Sequence, residues 1–303
     1  MLDHFQRRQP DWLDRQQFPF RSRWLDTSQG TLHHLDEGPE DGQVVLLVHG
    51  TPSWCFEYRH LIAELSRTRR VIAFDHLGFG LSERPSAFDY TPEAHTLVLR
   101  ELVTRLALGR FSLVVHDYGG PIALPIATEE PERIESLVVL NSWMWPLGED
   151  AELARAARFA GSRLGRFLYR WLNASLRLLM PRAYADRRKL TPQIHAQYLA
   201  PFRERDARVR VLWTLAKALT RSAPSLSRLW QSRAALSQLP ALIVWGSDDE
   251  LLPPRLLSRL REGLPQAQVH ALSGVGHWPQ EEAPDHVAAL LQGFLPGRTG
   301  SAG

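Results

Sequence analysis

The chain has 303 residues, of which 44% are hydrophobic and 23% are charged, an ordinary globular composition. Its 36 Lys and Arg residues nearly balance 33 Asp and Glu residues, so nucleic acid is not an expected partner. A single cysteine, Cys55, excludes an internal disulfide and gives no metal cluster, and no metal or other cofactor is expected. The first residues lack the apolar region of a signal peptide, and no apolar segment approaches the length of a membrane span. We therefore expect a cytoplasmic protein without a membrane partner.

Short apolar runs rich in Val, Ile and Leu recur along the chain and alternate with helical patterns. The segment Thr31–Gly38 predicts an antiparallel strand near the start. Continuous apolar runs are typical of strands buried on both faces, and their alternation with helices predicts an α/β fold with a mostly parallel sheet. These runs are Val44–Val48, Val71–Phe74, Leu113–Val115, Leu137–Leu140, Leu242–Trp245 and Val269–Leu272.

The pattern changes between about Pro146 and Leu236, where amphipathic helices are indicated and no strand is. An all-helical block inserted into an α/β chain predicts a lid over the carboxyl ends of the sheet, where such folds bind ligands. The predicted organisation is a core in two parts, residues 1–145 and 237–296, with a helical cap over residues 146–236. Residues 297–303 are expected to be a flexible tail.

The stretch Val114–Pro121 reads VVHDYGGP: a predicted strand ends on Asp117 and turns through Gly119 into a predicted helix. A strand, a nucleophile and a glycine-bearing turn form a nucleophile elbow, usually written G-x-S-x-G. Here Val115 replaces the first Gly and Asp117 replaces the Ser. The helix N-terminus behind the turn favours negative charge, so Asp117 is a candidate nucleophile. The alternative, that Asp117 only caps that helix, is open at this point.

A second motif follows the predicted strand Val44–Val48, where the chain continues as His-Gly-Thr-Pro (His49–Pro52). A turn there places backbone N–H groups near the sheet edge that carries Asp117. The amides of Thr51 and Tyr118 are therefore predicted to form an oxyanion hole, which stabilises negative charge on an oxygen atom during catalysis. A plain turn from strand to loop is the alternative.

Two loops near the end of the chain carry an acid and a histidine. In residues 243–254 (IVWGSDDELLPP), a predicted strand is followed by a loop that contains Asp248 and Asp249. In residues 273–284 (SGVGHWPQEEAP), His277 follows a glycine. Nucleophile, acid and histidine in this chain order are the order of an α/β-hydrolase catalytic triad. Taken singly, the acid and the histidine could each have a purely structural role. However, the nucleophile, the acid and the histidine all follow predicted strands in this chain order, which favours the triad.

At this point the chain resembles the α/β-hydrolases of the haloalkane dehalogenase and epoxide hydrolase branch, which use an Asp nucleophile in an H-D-x-G-G elbow. The resemblance spans nearly the whole chain and includes a cap segment that ends in Y-x-x-P-F. The remaining motifs are H-G-x-P, D-x-x-G-x-G-x-S, G-x-x-D-x-x-x-P and G-x-G-H, found here as His49–Pro52, Asp75–Ser82, Gly246–Pro253 and Gly274–His277, with the cap segment at Leu190–Phe202.

The resemblance implies a triad of Asp117, His277 and Asp249, the last selected over Asp248 by the family spacing. Asp117 attacks an sp³ carbon and forms an ester, which a water activated by His277 then hydrolyses. The implied substrate is a small apolar molecule with a halide leaving group. The alternatives are an epoxide hydrolase, a lactone-processing relative and, from another class, a binding protein that has lost turnover.

The leaving-group pocket departs from the family pattern. Haloalkane dehalogenases place a Trp directly after the nucleophile, and its indole N–H helps to hold the halide, but Tyr118 stands here. Many of them also carry Asn in H-G-x-P, where this chain has Thr51. No prediction of oligomeric state follows. The pocket candidates are Tyr118, Trp54, Trp143, Trp145 and Tyr198.

Overall fold

The computed structural model describes residues 10–297, so the proposed tail from residue 298 onward lies outside the described residues. Its centre is an eight-stranded sheet in the order β1-β2-β4-β3-β5-β6-β7-β8. β2 is antiparallel to both neighbours, and β4, β3, β5, β6, β7 and β8 run parallel to one another. The strands are β1 (Arg23–Thr27), β2 (Gly30–Glu37), β3 (Val44–Val48), β4 (Arg70–Phe74), β5 (Phe111–Asp117), β6 (Ile134–Ser142), β7 (Ala241–Gly246) and β8 (Gln268–Leu272).

The predicted α/β fold is confirmed, and each apolar run singled out in the sequence lies in a strand. The central strand β5 is buried at every position, as expected for a strand that is covered on both faces. Full burial of each Val or Leu side chain contributes about 1.5–3 kcal/mol, so the apolar runs dominate the stability of the sheet. The edge strand β1 was not predicted, because its residues are only partly buried and show no apolar run.

Helices connect the strands of the sheet and form most of the long connection between β6 and β7. Residues 143–240, all of which the structure describes, form helices, turns and loops without a strand. The α-helices before this connection are α1 (Arg59–Leu65), α2 (Pro92–Arg105) and α3 (Gly119–Glu129). Within it are α4 (Ala151–Ala160), α5 (Arg163–Phe167), α6 (Met180–Ala183), α7 (Pro192–Leu199), α8 (Arg205–Ala207), α9 (Thr214–Arg221) and α10 (Ala223–Gln231). After it come α11 (Leu256–Gly263), α12 (Pro279–Glu282) and α13 (Pro284–Phe294).

Several short elements complete the helical connection. Three π-helical turns extend its helices, at Leu168–Leu172, Ser175–Leu179 and Arg208–Trp213. None of the helices within residues 10–297 has the length and apolar character required to cross a bilayer. The loops after β3, β5, β7 and β8 lie at the same end of the parallel sheet, and these loops carry the residues that the sequence singled out.

Candidate active site

Asp117 ends β5 in a strained backbone conformation directly before α3. Its φ angle is +49°, in the left-handed region that non-glycine residues rarely occupy. The Ser142 hydroxyl donates to the Asp117 carbonyl oxygen at 2.6 Å. At Gly119 an added Cβ would lie 2.2 Å from the Val48 carbonyl oxygen, so only glycine fits there. This sharp turn is the geometry of a nucleophile elbow.

The Asp117 carboxylate is held from the loop that follows β3. Oδ1 accepts a hydrogen bond from the Thr51 amide at 2.8 Å. A Cβ at Gly50 would lie 2.4 Å from the Asp117 Cβ, so glycine permits this close approach. Burial alone raises the pKa of Asp117, but the neighbouring His277 and the Thr51 amide outweigh it and hold the pKa below its ordinary value. Asp117 is therefore ionised while only a tenth of its side chain is exposed.

His277 lies between two carboxylates. Its Nδ1 is 2.7 Å from Asp249 Oδ2, and its Nε2 is 3.4 Å from Asp117 Oδ2. Burial disfavours the charged imidazolium, but the charge of Asp249 and the contact with Asp117 outweigh burial and raise the pKa of His277 to about 10. At neutral pH the imidazole is consequently protonated beside the ionised Asp117.

The acid loop after β7 brings Asp249 to His277, whereas the Asp248 side chain is exposed. Asp249 Oδ1 accepts from the amides of Leu251 and Leu252 at 2.7 and 3.0 Å. The Asn141 amide donates to Asp249 Oδ2 at 2.7 Å, so Oδ2 is shared between Asn141 and His277. Asn141 was not a sequence candidate. Its place at the end of β6, the strand that pairs with β7 before the acid loop, was the available indication.

A buried polar pair lies behind His277. His116 Nε2 donates to the His277 carbonyl oxygen at 2.8 Å, and His116 Nδ1 is 3.1 Å from Glu57 Oε1. The Ser53 hydroxyl donates to the same carboxylate. Because His116 directly precedes Asp117, this pair ties the elbow to the histidine loop. Nothing in the sequence singled out Glu57, since a buried acid in a loop looks like any surface carboxylate.

The Tyr118 hydroxyl is bonded to the backbone of the helical connection and is not free to bind a leaving group. The hydroxyl donates to the Leu215 carbonyl oxygen of α9 at 2.7 Å, which ties the elbow to the helical connection. The Trp143 ring packs edge-on against Tyr118, with 4.9 Å between ring centroids. The Trp143 indole N–H is buried and has no hydrogen-bond partner among residues 10–297. Of the two neighbours, Trp143 is therefore the one with a free donor.

The other pocket candidates have different partners. The Trp54 indole N–H donates to the Gln197 carbonyl oxygen at 3.1 Å, and the Tyr198 hydroxyl donates to Glu281. Trp145 packs against the ring of Trp230 at 5.5 Å. The polar groups of Trp54 and Tyr198 are thus engaged in joining the helical connection to the core.

Tyr169 belongs to the site electrostatically, although it was not among the sequence candidates. It lies in the π-helical turn Leu168–Leu172. Burial and the charge of Asp117 raise the pKa of Tyr169 to about 12, so the phenol stays protonated as a potential hydrogen-bond donor.

A group of potential metal ligands lies next to the site but is used internally. Ligand atoms of His33, Cys55 and Asp75 lie within 4.8 Å of one another. Asp75 accepts from His33 Nδ1 and the Leu81 amide, both at 2.8 Å, and from the Cys55 amide at 2.9 Å. The second His33 nitrogen pairs with Ser22. Because these groups already satisfy one another, we assign no metal to them.

The Tyr118 contact leads to a prediction about its hydroxyl. We expect Tyr118→Phe to destabilise the protein by about 1 kcal/mol, the usual contribution of one intramolecular hydrogen bond, and to change kcat less than tenfold. Chemical denaturation and steady-state kinetics measure the two effects. The matched control is Tyr90→Phe, which removes a phenol that donates to the Pro85 carbonyl within a loop. A large fall in kcat with unchanged stability would instead assign the Tyr118 hydroxyl to the leaving group.

Comparison with known proteins agrees with this fold. Residues 43–284 match the family model described as alpha/beta hydrolase fold, and the chain belongs to that family. The protein is a hydrolase, and its relatives make it dehalogenase-like. It is 34% identical over 280 residues to haloalkane dehalogenase 2 of Mycobacterium tuberculosis, covering 92% of this chain and 96% of the relative.

Two further similarities extend the comparison. Cis-3-alkyl-4-alkyloxetan-2-one decarboxylase of Shewanella oneidensis is 33% identical over 285 residues, covering 91% of this chain and 89% of the relative. The crystal structure of haloalkane dehalogenase DatA from Agrobacterium tumefaciens superposes with a TM-score of 0.81 at 22% identity. It covers 91% of this chain and 96% of that one. At that identity, the structural likeness supports the fold alone.

Proposed function

We propose that this hydrolase uses Asp117 as a nucleophile on small apolar molecules and releases a halide, as a haloalkane dehalogenase does. One observation carries the proposal: a strained elbow holds Asp117 with Oδ1 on the Thr51 amide and Oδ2 3.4 Å from His277, which is itself paired with Asp249. A carboxylate in this position suits displacement at an sp³ carbon.

In the first step, Oδ2 of Asp117 forms a bond to the carbon that bears the leaving group. The bond from carbon to the leaving group breaks, and the leaving group departs with the electron pair. Oδ1 remains on the Thr51 amide and becomes the carbonyl oxygen of the ester. The Trp143 N–H, buried and unpartnered within the described part of the chain, is the proposed donor to the leaving group.

Formation of the ester changes the protonation of His277. Esterification removes the negative charge of Asp117, and this charge is one of the causes that raise the pKa of His277. The pKa therefore falls, His277 releases its proton to solvent as the leaving group departs, and the neutral imidazole becomes able to act as a general base. The first step thus prepares the base that the second step requires.

In the second step, His277 takes a proton from a water, and the water oxygen bonds to the carbonyl carbon of the Asp117 ester. The negative charge gathers on Oδ1, where the Thr51 amide stabilises it. The carbonyl then re-forms, the Cγ–Oδ2 bond breaks, and His277 gives its proton to the departing alkoxide, which leaves as the alcohol with Oδ2 still bonded to the substrate carbon. The water oxygen stays on Cγ of Asp117, and the second proton of the water passes from the new carboxyl group to His277, which restores the starting ion pair. Asp249 orients His277 throughout and stabilises its imidazolium form.

We propose that residues 146–236 act as the cap of this site. Two contacts support this role: the Tyr118 hydroxyl is bonded to Leu215 of α9, and Tyr169 lies within the electrostatic influence of Asp117. A helical cover excludes water from the carboxylate before substrate binds, which strengthens the electrostatic interactions at the site.

Opening of a β-lactone is the second candidate reaction. The Tyr118 observation favours it, because that hydroxyl is bonded to Leu215 and halide would lack a donor at this position. Ring opening at an sp³ carbon releases a carboxylate in place of a halide, and the Shewanella relative named above is an oxetan-2-one decarboxylase. Epoxide opening, the remaining alternative, needs a proton donor; the Tyr198 hydroxyl is bonded to Glu281, whereas the Tyr169 phenol is protonated.

The test is to trap the ester. We expect the His277→Gln variant, incubated with panels of haloalkanes, β-lactones and epoxides, to accumulate an adduct that peptide mass spectrometry locates on Asp117. A haloalkane adds its alkyl group and releases one halide per protein, whereas a lactone or epoxide adds its whole mass. The double variant Asp117→Ala/His277→Gln is the control. If no adduct forms although the wild-type protein binds panel members, the result would contradict the proposal. It would support the alternative of a binding protein that has lost turnover.

A further inference from the structure

Exposed apolar side chains are concentrated in one part of the helical connection. Of the eight large apolar side chains that are exposed within residues 10–297, seven lie between residues 159 and 179. Leu164, Phe167 and Trp171 are spaced as one face of a helix, and the rings of Phe167 and Trp171 are 6.3 Å apart. The seven are Phe159, Leu164, Phe167, Trp171, Leu172, Leu178 and Leu179. A cluster of this kind marks an interaction surface.

The same segment is strongly basic. Residues 146–236 contain 18 basic and 6 acidic residues, whereas the rest of the chain contains 18 basic and 27 acidic residues. The overall charge of +3 is therefore the sum of about +12 and −9. Between Glu152 and Asp186 the chain has seven arginines and no acidic residue. Six of these seven arginines are exposed, namely Arg155, Arg158, Arg163, Arg166, Arg177 and Arg182.

We propose that residues 158–182, here called the basic apolar face, bind the surface of an anionic lipid bilayer. Arginines beside exposed Trp, Phe and Leu side chains are the pattern of helices that lie in a membrane interface. A bilayer containing anionic lipids offers the negative charge and the apolar layer at one surface. Duplex DNA would satisfy the arginines but leave Phe167 and Trp171 in water.

The binding is at the surface of the bilayer. Residues 163–172 make ten residues of continuous helix, about half the length required to cross the apolar layer. Trp171 is 46% exposed, and the Arg205 guanidinium lies 4.2 Å from its ring centroid, so aromatic and cationic groups are presented together. The expectation of no membrane partner was based on the lack of a spanning apolar segment in the sequence, which does not test binding at the bilayer surface.

This face connects the membrane to the site. The Arg166 guanidinium of this face lies 5.6 Å from the Trp213 ring centroid, and Trp213 directly precedes α9, whose Leu215 carbonyl accepts from the Tyr118 hydroxyl beside Asp117. An apolar substrate dissolved in the bilayer would therefore arrive on the outer side of the segment that covers the nucleophile. This connection rests on the proposed function, whereas the lipid binding itself does not.

The test is co-sedimentation of the full chain with vesicles of phosphatidylcholine alone and of phosphatidylcholine mixed with phosphatidylglycerol. We expect binding to the mixed vesicles that weakens as salt is raised, because screening shortens the reach of the arginine charges. The double variant Phe167→Ser/Trp171→Ser should bind about tenfold more weakly. Leu97→Ser is the matched control, since Leu97 is 67% exposed on α2 outside this face, and it should bind like wild type.

A second pair of variants separates charge from fold. Arg163→Gln/Arg166→Gln should weaken binding to the mixed vesicles, while circular dichroism and thermal unfolding of all variants confirm that they are folded. Equal binding to both vesicle types, or unchanged binding by both double variants, would overturn the proposal. Two other outcomes would also overturn it, each in the absence of vesicle binding. In one, sedimentation velocity shows self-association that the same substitutions abolish; in the other, a titration shows duplex DNA binding that they abolish. Because vesicle binding is measured without substrate, it is independent of turnover.

Discussion

We expect the Asp117→Ala variant to lose at least about a thousandfold in kcat/KM on every substrate that the wild-type protein turns over. Alanine provides no oxygen to attack the substrate, so the ester is not formed. The substitution also removes a partner of His277, whose Nε2 is 3.4 Å from Asp117 Oδ2. The imidazole then loses one of the causes that raise its pKa. Steady-state kinetics with the substrates identified by ester trapping provide the measurement.

The controls for this prediction lie in the acid loop. Asp248 is exposed beside Asp249, so Asp248→Asn is expected to retain activity, as most surface substitutions do. Asp249→Asn should lose activity, because the carboxylate that pairs with His277 Nδ1 is replaced by a neutral amide. Thermal unfolding checks that each variant is folded. Full activity of Asp117→Ala would refute the nucleophile.

The largest effect on stability is expected from Arg59→Met. The Arg59 guanidinium forms a two-bond pair with Glu281, one bond of which is 2.8 Å, and also lies 4.2 Å from the Phe56 ring centroid. The side chains of both charged residues are nearly inaccessible, at 6% and 1% exposure. Removal of Arg59 leaves the buried Glu281 carboxylate with the Tyr198 hydroxyl as its remaining hydrogen-bond partner among residues 10–297. We expect a loss of about 3–5 kcal/mol in the free energy of unfolding.

Urea denaturation measures this change, with the slope of the transition used to check that the unfolded states are comparable. Arg100→Met is the matched control, because Arg100 pairs with Glu129 and Glu130 at the surface and should contribute about 1 kcal/mol or less. The double variant Arg59→Met/Glu281→Gln should recover part of the loss, since neither side chain of this pair then carries a charge. Equal losses for the Arg59 and Arg100 variants would contradict the prediction.

The parts of the fold that could be predicted from sequence are those set by local pattern. The runs Val44–Val48 and Leu113–Val115 are apolar along their whole length because both faces of those strands are covered. The turn after Asp117 could be predicted because a glycine at position 119 indicates a sharp turn. In the structure, the lack of a side chain at Gly119 permits its close approach to β3. In contrast, the partly exposed edge strand β1 contains no apolar run and was not predicted.

The partners of individual side chains could not be predicted, because they depend on how distant segments pack. The Tyr118 hydroxyl bonds to a carbonyl 97 residues away, and His116 bonds to one 161 residues away. The local part of the Asp249 environment, its bonds to the amides of Leu251 and Leu252, follows from the turn itself. The contribution of Asn141 comes from a neighbouring strand, and only the assembled sheet reveals it.

The Tyr118–Leu215 bond makes position 118 a point of compromise for protein engineering. A Trp there would introduce an indole N–H next to Asp117, but it would remove the hydroxyl that fastens the elbow to α9. A substitution that changes the donor beside Asp117 at this position therefore also changes how α9 is held. A second substitution that secures α9 by another contact would have to accompany it.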